Sequence, residues 1–450
     1  MKISADIRDR IISLLQSGRT SAEIAEELHI GKMQVAGIKA HLKMKGKPHE
    51  SPSPNLSSES NTIPYLWSKT PPPEDTREDT ENEILIGTDV IFNKEVYWNY
   101  HPKTGSVNPH VLIVGETGFG KTYAAQCITA ELFKKGLTTI IFDYGQGFGI
   151  AEASKDFINL VHPSQIEASR NGVSINPLQI FPSDIMGPVN TAQRIADTFS
   201  RISHSIGIQQ KEAIIEAVEN TFNASGIHAN DRTTWTRPLP RFSDIHSAIR
   251  HIAESSDHPL KSSAKTVYSH IRSFFRFNVI RDGGEKLTWN SMIRDYGGVW
   301  IIQLRGLDNY VAMTITEMLL WNLVNYLQSR GPSGVELFLV LDEAHKLSFD
   351  AGTPVEWFLR EGRKFGVGVI LSSQQIEDYS KVALANTATK LIFQTHDTRG
   401  ILSKYLTRKC TNIDDHISVS KIISSLKKGT VFYLFKNIGR LVTIHPLRGR

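Results

Sequence analysis

The chain has 450 residues, of which 40 % are hydrophobic and 22 % charged. That is ordinary globular composition and too much chain for one core, so two or three folded units are expected. The formal net charge is +5, and two cysteines, Cys127 and Cys410, are too few for a disulfide framework. Met1 to Arg10 alternates charge without the apolar stretch of a signal peptide, and no apolar run approaches the roughly 20 residues that cross a bilayer. The expectation is a cytoplasmic protein without a membrane span.

Charge is unevenly spread. Residues 1–47 carry nine basic and five acidic side chains, 48–83 carry two and eight, and 84–450 carry forty and thirty-three.

Residues 1–47 read as a small all-α domain. Ile7, Ile11, Ile12, Leu14 and Leu15 share one helical face, and Ser17-Gly18 breaks the run. Thr20 or Ser21 can cap a second helix, with Glu23 at capping-box distance and Ile24, Ala25 and Leu28 as its apolar positions. A third helix begins near Gly31 and carries Val35, Ile38 and Leu42. Ser21 to Leu42 fits a helix-turn-helix template, although His29 stands at the turn where glycine usually relaxes the backbone. Glu23, Glu26 and Glu27 are followed by Lys32, Lys39, Lys43, Lys45 and Lys47, with no acid from 31 to 49. A basic third helix suits a major-groove reader, so Lys32, Gln34 and Lys39 are the expected DNA contacts. The alternative is a protein-docking bundle with a solvated lysine face.

Residues 48–83 read as a linker. They are rich in proline, serine and acids, and bury too little apolar surface to fold alone. Residues 84–108 suggest short antiparallel strands. From 109 to 450 strand-like and helix-like runs alternate, with strands at 110–115, 138–143, 298–303, 335–341, 367–372 and 389–394. This is an α/β pattern with a mostly parallel sheet covered on both faces. Residues of about 181–290 look helical and read as an insertion.

The apolar run from His110 leads into Gly115-Glu116-Thr117-Gly118-Phe119-Gly120-Lys121-Thr122, a full match to G-x-x-x-x-G-K-[ST] between a strand and a helix. Glycines let the backbone amides curl around phosphates, and the helix start adds partial positive charge. Lys121 would bridge the terminal phosphates of ATP and Thr122 would ligate Mg²⁺. A second apolar strand delivers Asp342 and Glu343 at its tip, beyond which ligands sit in open parallel sheets. Asp342 would hold Mg²⁺ through water, and Glu343 would activate the attacking water. A plain helix cap is the alternative for that pair. Gln374, after the strand at 367–372, could read the γ-phosphate or be a polar turn residue.

Taken in order, these motifs resemble the HerA–FtsK class of P-loop ATPases, and within it HerA-like translocases. The resemblance covers roughly 84–450. It rests on Arg360-Glu-Gly-Arg363-Lys364 with Ile370-Leu-Ser-Ser-Gln374, on Ser174-Ile-Asn176-Pro177-Leu178, on Val299 to Leu307 and on Asn386 to Asp397. It implies a RecA-like core, assembly into a hexameric ring, and ATP-driven translocation of double-stranded DNA. Lys121, Thr122, Asp342 and Glu343 inherit the nucleotide roles and Gln374 the sensor role. A neighbouring subunit would supply an arginine finger, with Arg399 matching the position used in the FtsK branch and Arg363 competing; a surface salt bridge is the alternative for each. Two departures stand out. The family's N-terminal β-barrel is shortened to 84–108, and Gln374-Gln375-Ile376 stands where Gln-Arg-Pro is frequent. The absence of a membrane stretch before the motor points away from FtsK-type and conjugative coupling ATPases.

Such proteins commonly work beside a nuclease or other effector, including in phage defence. The residues themselves show no nuclease constellation and no Cys/His metal cluster. A ring that mainly scaffolds or gates an effector is the second reading, and an ATP-switched transcription regulator the third.

Overall fold

The structure is a computed structural model. It describes residues 10, 14, 19–28, 81–101, 107–203, 205–282, 287–397, 400–412 and 416–448. The chain divides into two compact units, 1–62 and 63–450.

In the first unit, α1 (Ser21–Glu27) is capped by Thr20, whose hydroxyl accepts from the Glu23 amide while the Glu23 side chain reaches back to the Thr20 amide. Two of the amides that a helix start leaves orphaned are thus satisfied by side chains three residues apart. Ile24 and Ala25 are buried. Lys32, Gln34 and Lys39 lie outside the described residues.

The second unit is built on an eleven-stranded sheet ordered β2-β1-β11-β10-β9-β3-β8-β7-β4-β6-β5. The strands are β1 (Glu83–Asp89), β2 (Glu95–Asn99), β3 (Val111–Val114), β4 (Thr138–Asp143), β5 (Ser164–Glu167), β6 (Val299–Gln303), β7 (Ser333–Leu341), β8 (Phe365–Ser373), β9 (Thr389–Ile392), β10 (Thr430–Phe435) and β11 (Ile438–Ile444). From β9 to β5 every pairing is parallel; from β9 outwards to β2 every pairing is antiparallel. Strands β3, β4 and β6 are buried at every position, as strands covered on both faces must be.

Alternate residues of these strands feed two cores. Val111, Ile113 and Ile141 face the first, with α2 (Lys121–Lys134) and its Ala124, Ala125 and Ile128. Leu112, Val114, Ile140 and Phe142 face the second. Strands β1 and β2 join the same sheet through β11 and contribute Ile84, Ile86 and Trp98 to the first core. Trp98 and Phe338 of β7 meet edge to face at 6.0 Å between ring centroids, so this end of the sheet curls back over the face that carries α2.

Four further helices, α4 (Pro188–Ile202), α5 (Ile208–Ala224), α6 (Asp244–Glu254) and α7 (Lys261–Arg276), lie between β5 and β6, after α3 (Lys155–Val161). Their apolar faces pack on one another and into the second core. The 22-residue α8 (Asn309–Arg330), buried along most of its length, joins them to the sheet. Among the described residues no helix is long and apolar enough to cross a membrane.

Candidate active site

Residues Gly115, Glu116, Thr117, Gly118, Phe119 and Gly120 form the turn from β3 into α2. Gly115, Gly118 and Gly120 have φ of 151°, 90° and 112°, a region that side chains with a Cβ rarely enter. Gly115 has a second constraint: a Cβ there would stand 2.5 Å from Cβ of Phe393, at the end of β9. The Glu116 amide donates to the Gln394 carbonyl at 2.8 Å, which ties the loop to that strand end. Lys121 is buried and folds back over the loop, its Nζ donating to the Glu116 carbonyl at 3.0 Å.

The acids arrive from two neighbouring strands. Asp342 follows β7 and is buried, its amide donating to the Phe142 carbonyl at 3.3 Å. Burial pushes its carboxyl up to about 7, the charges of Asp143 and Glu343 add to this, and the Ser372 hydroxyl opposes it. Asp143 ends β4, the strand beside β7, and is fully buried. Its Oδ1 accepts from the Gly145 amide at 3.0 Å, and its Oδ2 from the Phe148 amide at 3.1 Å and from Gln303 Nε2 at 2.8 Å. A Cβ on Gly145 would lie 3.7 Å from an oxygen of Asp143 and 3.7 Å from an oxygen of Asp342, so the two carboxylates converge on one spot.

Glu343 has φ of +50°, a left-handed conformation uncommon for a residue with a Cβ. Its Oε2 lies 3.2 Å from His345 Nδ1, which is also 3.4 Å from Ser373 Oγ at the end of β8. Burial lowers the pKa of Lys121, while Glu343, Asp342 and Glu116 oppose that shift, in that order. The lysine of the loop and both acids of β7 therefore share one electrostatic site.

The loop after β4 closes the site from the other side. Gln126 Nε2 of α2 donates to the Gly147 carbonyl at 2.7 Å, and a Cβ on Gly147 would stand 2.3 Å from Cγ2 of Thr122. Gln374 is exposed directly after β8, the strand between β3 and β7, and so stands between the loop and the acid pair. Arg363 lies at the opposite end of β8, where its Nη1 donates to the Val107 carbonyl at 2.6 Å. The nine residues of β8 separate it from Gln374, which at ~3.3 Å per residue is about 30 Å along the strand. Arg363 thus does not reach the nucleotide side of its own subunit. Arg399 lies outside the described residues.

Three side chains not singled out from the sequence belong here: Asp143, Gln303 and Gln126. For Asp143 a signal existed, since an acid ends the apolar strand at 138–143 as Asp342 ends β7. Gln303 stood within the family-like segment Val299 to Leu307 without an assigned role, and Gln126 had no signal. The donors fit a magnesium ion: a threonine hydroxyl and two buried carboxylates supply hard oxygens without a full protein cage. Among the described residues no group of three His, Cys, Asp or Glu side chains assembles into a closed metal site.

The helicase HerA central domain family matches residues 103–323. The DNA double-strand break repair helicase HerA of Sulfolobus acidocaldarius is 22 % identical over 376 residues, covering 80 % of this chain and 68 % of the relative. Its counterpart from Saccharolobus solfataricus is 22 % identical over 418 residues, with 88 % and 72 % covered. Among solved structures, VirB4 of Thermoanaerobacter pseudethanolicus superposes with a TM-score of 0.63 at 16 % identity, covering 80 % of this chain and 96 % of that one. The plasmid coupling protein TrwB in complex with ADP and Mg²⁺ gives 0.52 at 15 % identity, with 75 % and 85 % covered. At these identities the structural likeness speaks for the fold. With the complete phosphate loop and the acid pair beside it, the chain is a P-loop ATPase, similar over residues 103–323 to the HerA central domain.

Proposed function

We propose that this protein is a ring-forming motor that hydrolyses ATP to move double-stranded DNA through a hexameric pore, with a nuclease or other effector as its working partner. The observation that carries the reading is the convergence of Lys121 with Asp342 and Glu343, because a phosphate-binding loop does work only when a base and a metal-site acid meet the same phosphates.

Each residue then has a task. The amides of Gly118 to Thr122 and the start of α2 hold the phosphates, and Lys121 leaves the Glu116 carbonyl to bridge them. Thr122 and Asp342, with Asp143 beside them, hold the ion. Bound Mg²⁺ would offset charge building on the transferred phosphoryl group. Glu343 takes the proton of the attacking water, and Gln374 reads the γ-phosphate from the end of β8. Arg399 or Arg363 reaches the nucleotide of the next subunit, where a guanidinium offsets developing charge. The distance of Arg363 from its own site supports a role in trans over one in cis. Lys32, Gln34 and Lys39 load or anchor the ring on DNA, six weak contacts summing through avidity.

The test is ATP turnover with and without duplex DNA, together with electron microscopy of the same sample. Turnover that DNA stimulates, that Lys121→Ala abolishes, and that accompanies rings threaded by DNA is the expected result. Rings whose turnover ignores DNA would overturn the translocase.

A further inference from the structure

A lysine-lined cavity lies on the side of the sheet away from the phosphate loop. Its volume is about 210 Å³, and its walls include Asn108 before β3, Thr387 and Lys390 at the start of β9, Lys409 at the end of α9 (Ile401–Lys409), and Lys436 in the β10–β11 turn. The phosphate loop follows β3, so the cavity and the nucleotide site sit at opposite ends of that strand.

Lys390 is buried, with 3 % of its surface exposed. Its Nζ donates to the Thr387 carbonyl and lies 5.5 Å from the centroid of the Tyr405 ring. Neither partner carries a formal charge. Burial, and then the charge of Lys409, bring its pKa down to about 7, with Cys410 opposing. Cys410 offers no anion in return, since burial pushes its thiol up to about 12. Lys409 and Lys436 are exposed at the mouth. No carboxylate lines the cavity, and among the described residues none pairs with any of the three lysines.

The surroundings carry the same sign. Residues 398–450 hold eleven basic side chains and two acidic ones, a larger excess than the +5 of the whole chain. Lys404 and Arg408, one turn apart on α9, are both exposed. A buried amine without a counter-charge, which an anion would hold protonated, at the bottom of an open cavity with two ammonium groups at its rim, is the chemistry of an oxyanion receptor.

We propose that this cavity is a second phosphate site, in which Lys390, Lys409 and Lys436 hold one phosphate group that comes either from the backbone of duplex DNA or from free phosphate. The DNA source rests on the translocase reading; the free-phosphate source does not.

The experiment uses the full chain and the double variant Lys409→Ala/Lys436→Ala, which alters only exposed side chains, with Lys390→Met as a second variant. Duplex binding is followed by fluorescence anisotropy over a salt series. In parallel, melting is followed with and without inorganic phosphate in a Lys121→Ala background, which weakens the response of the phosphate loop. If DNA supplies the phosphate, the double variant binds more weakly and its salt slope falls by about 0.9, the value for one lost phosphate contact. If the source is free phosphate, DNA binding is unchanged, but phosphate raises the melting temperature of the Lys121→Ala protein and no longer does so once Lys409 and Lys436 are removed. A protein in which neither response changes in either variant overturns the site. A parent chain that binds no duplex sinks the translocase reading and leaves the phosphate arm to decide the cavity.

Discussion

At the scale of single residues, the site depends on where charge is buried. Glu343→Gln keeps the shape of the side chain and removes the proposed base. ATP turnover is expected to fall by about 10²- to 10⁴-fold, the usual contribution of a positioned base, while nucleotide binding persists. Binding by fluorescent nucleotide and turnover by phosphate release separate the two effects; a variant with near-normal turnover would remove Glu343 from its role. Lys390 gives a prediction of another kind. Its pKa is about 7 in the folded chain against an ordinary 10.5. Between those values the unfolded chain holds a proton that the folded chain does not, so stability rises with pH, by about 1.4 kcal/mol per unit for one such group. The cost of burying the charge is present in full below pH 7 and is gone above the unfolded value. Denaturant unfolding at pH 7, 8 and 9 should show the native chain gaining on Lys390→Met; a constant difference would mean that Lys390 stays charged.

At the scale of elements, backbone geometry decides what a side chain cannot. Gly115 combines a φ of 151° with contact against Phe393. Gly115→Ala strains the loop and pushes β9 away, at a cost of about 1–3 kcal/mol, to be read from chemical unfolding with loss of nucleotide affinity. The same scale explains what was legible and what was not. The phosphate loop was readable because its chemistry is local: glycines, lysine and threonine act within eight residues of chain. The buried strands β4, β6 and β8 were readable because each is a short apolar run. Strand β5, Ser164–Glu167, has one buried residue in four and leaves no such run. The β10–β11 hairpin turns on Lys436 and Asn437, both at positive φ, without the glycine that usually signals such a turn. Capping was legible at Thr20, since the capping box needs only Thr20 and Glu23 three residues apart. Thr20→Ala should weaken α1 by about 1 kcal/mol, seen as lost helicity on heating.

At the scale of the whole molecule, the proposed ring would need neighbours for catalysis. If Arg399 or Arg363 acts on the adjacent nucleotide, an Arg→Ala subunit and a Lys121→Ala subunit are each inactive alone but complementary when mixed. Part of the ATPase activity should return in mixed rings, with the fraction following the mixing ratio; no recovery for either arginine would place the finger elsewhere.

The sequence by itself determined the class of chemistry, because a phosphate loop and an acid pair at a strand tip are local patterns of residue type. It also determined the alternation of strands and helices, through the spacing of apolar residues. Only the tertiary structure decided which acids meet. Asp143 and Asp342 are almost two hundred residues apart in the chain, and they become neighbours only because β4 pairs with β7. The tertiary structure likewise gathered Lys390, Lys409 and Lys436 around one cavity, since proximity across a sheet depends on strand order, and strand order is set by packing over the entire fold and not by any one segment.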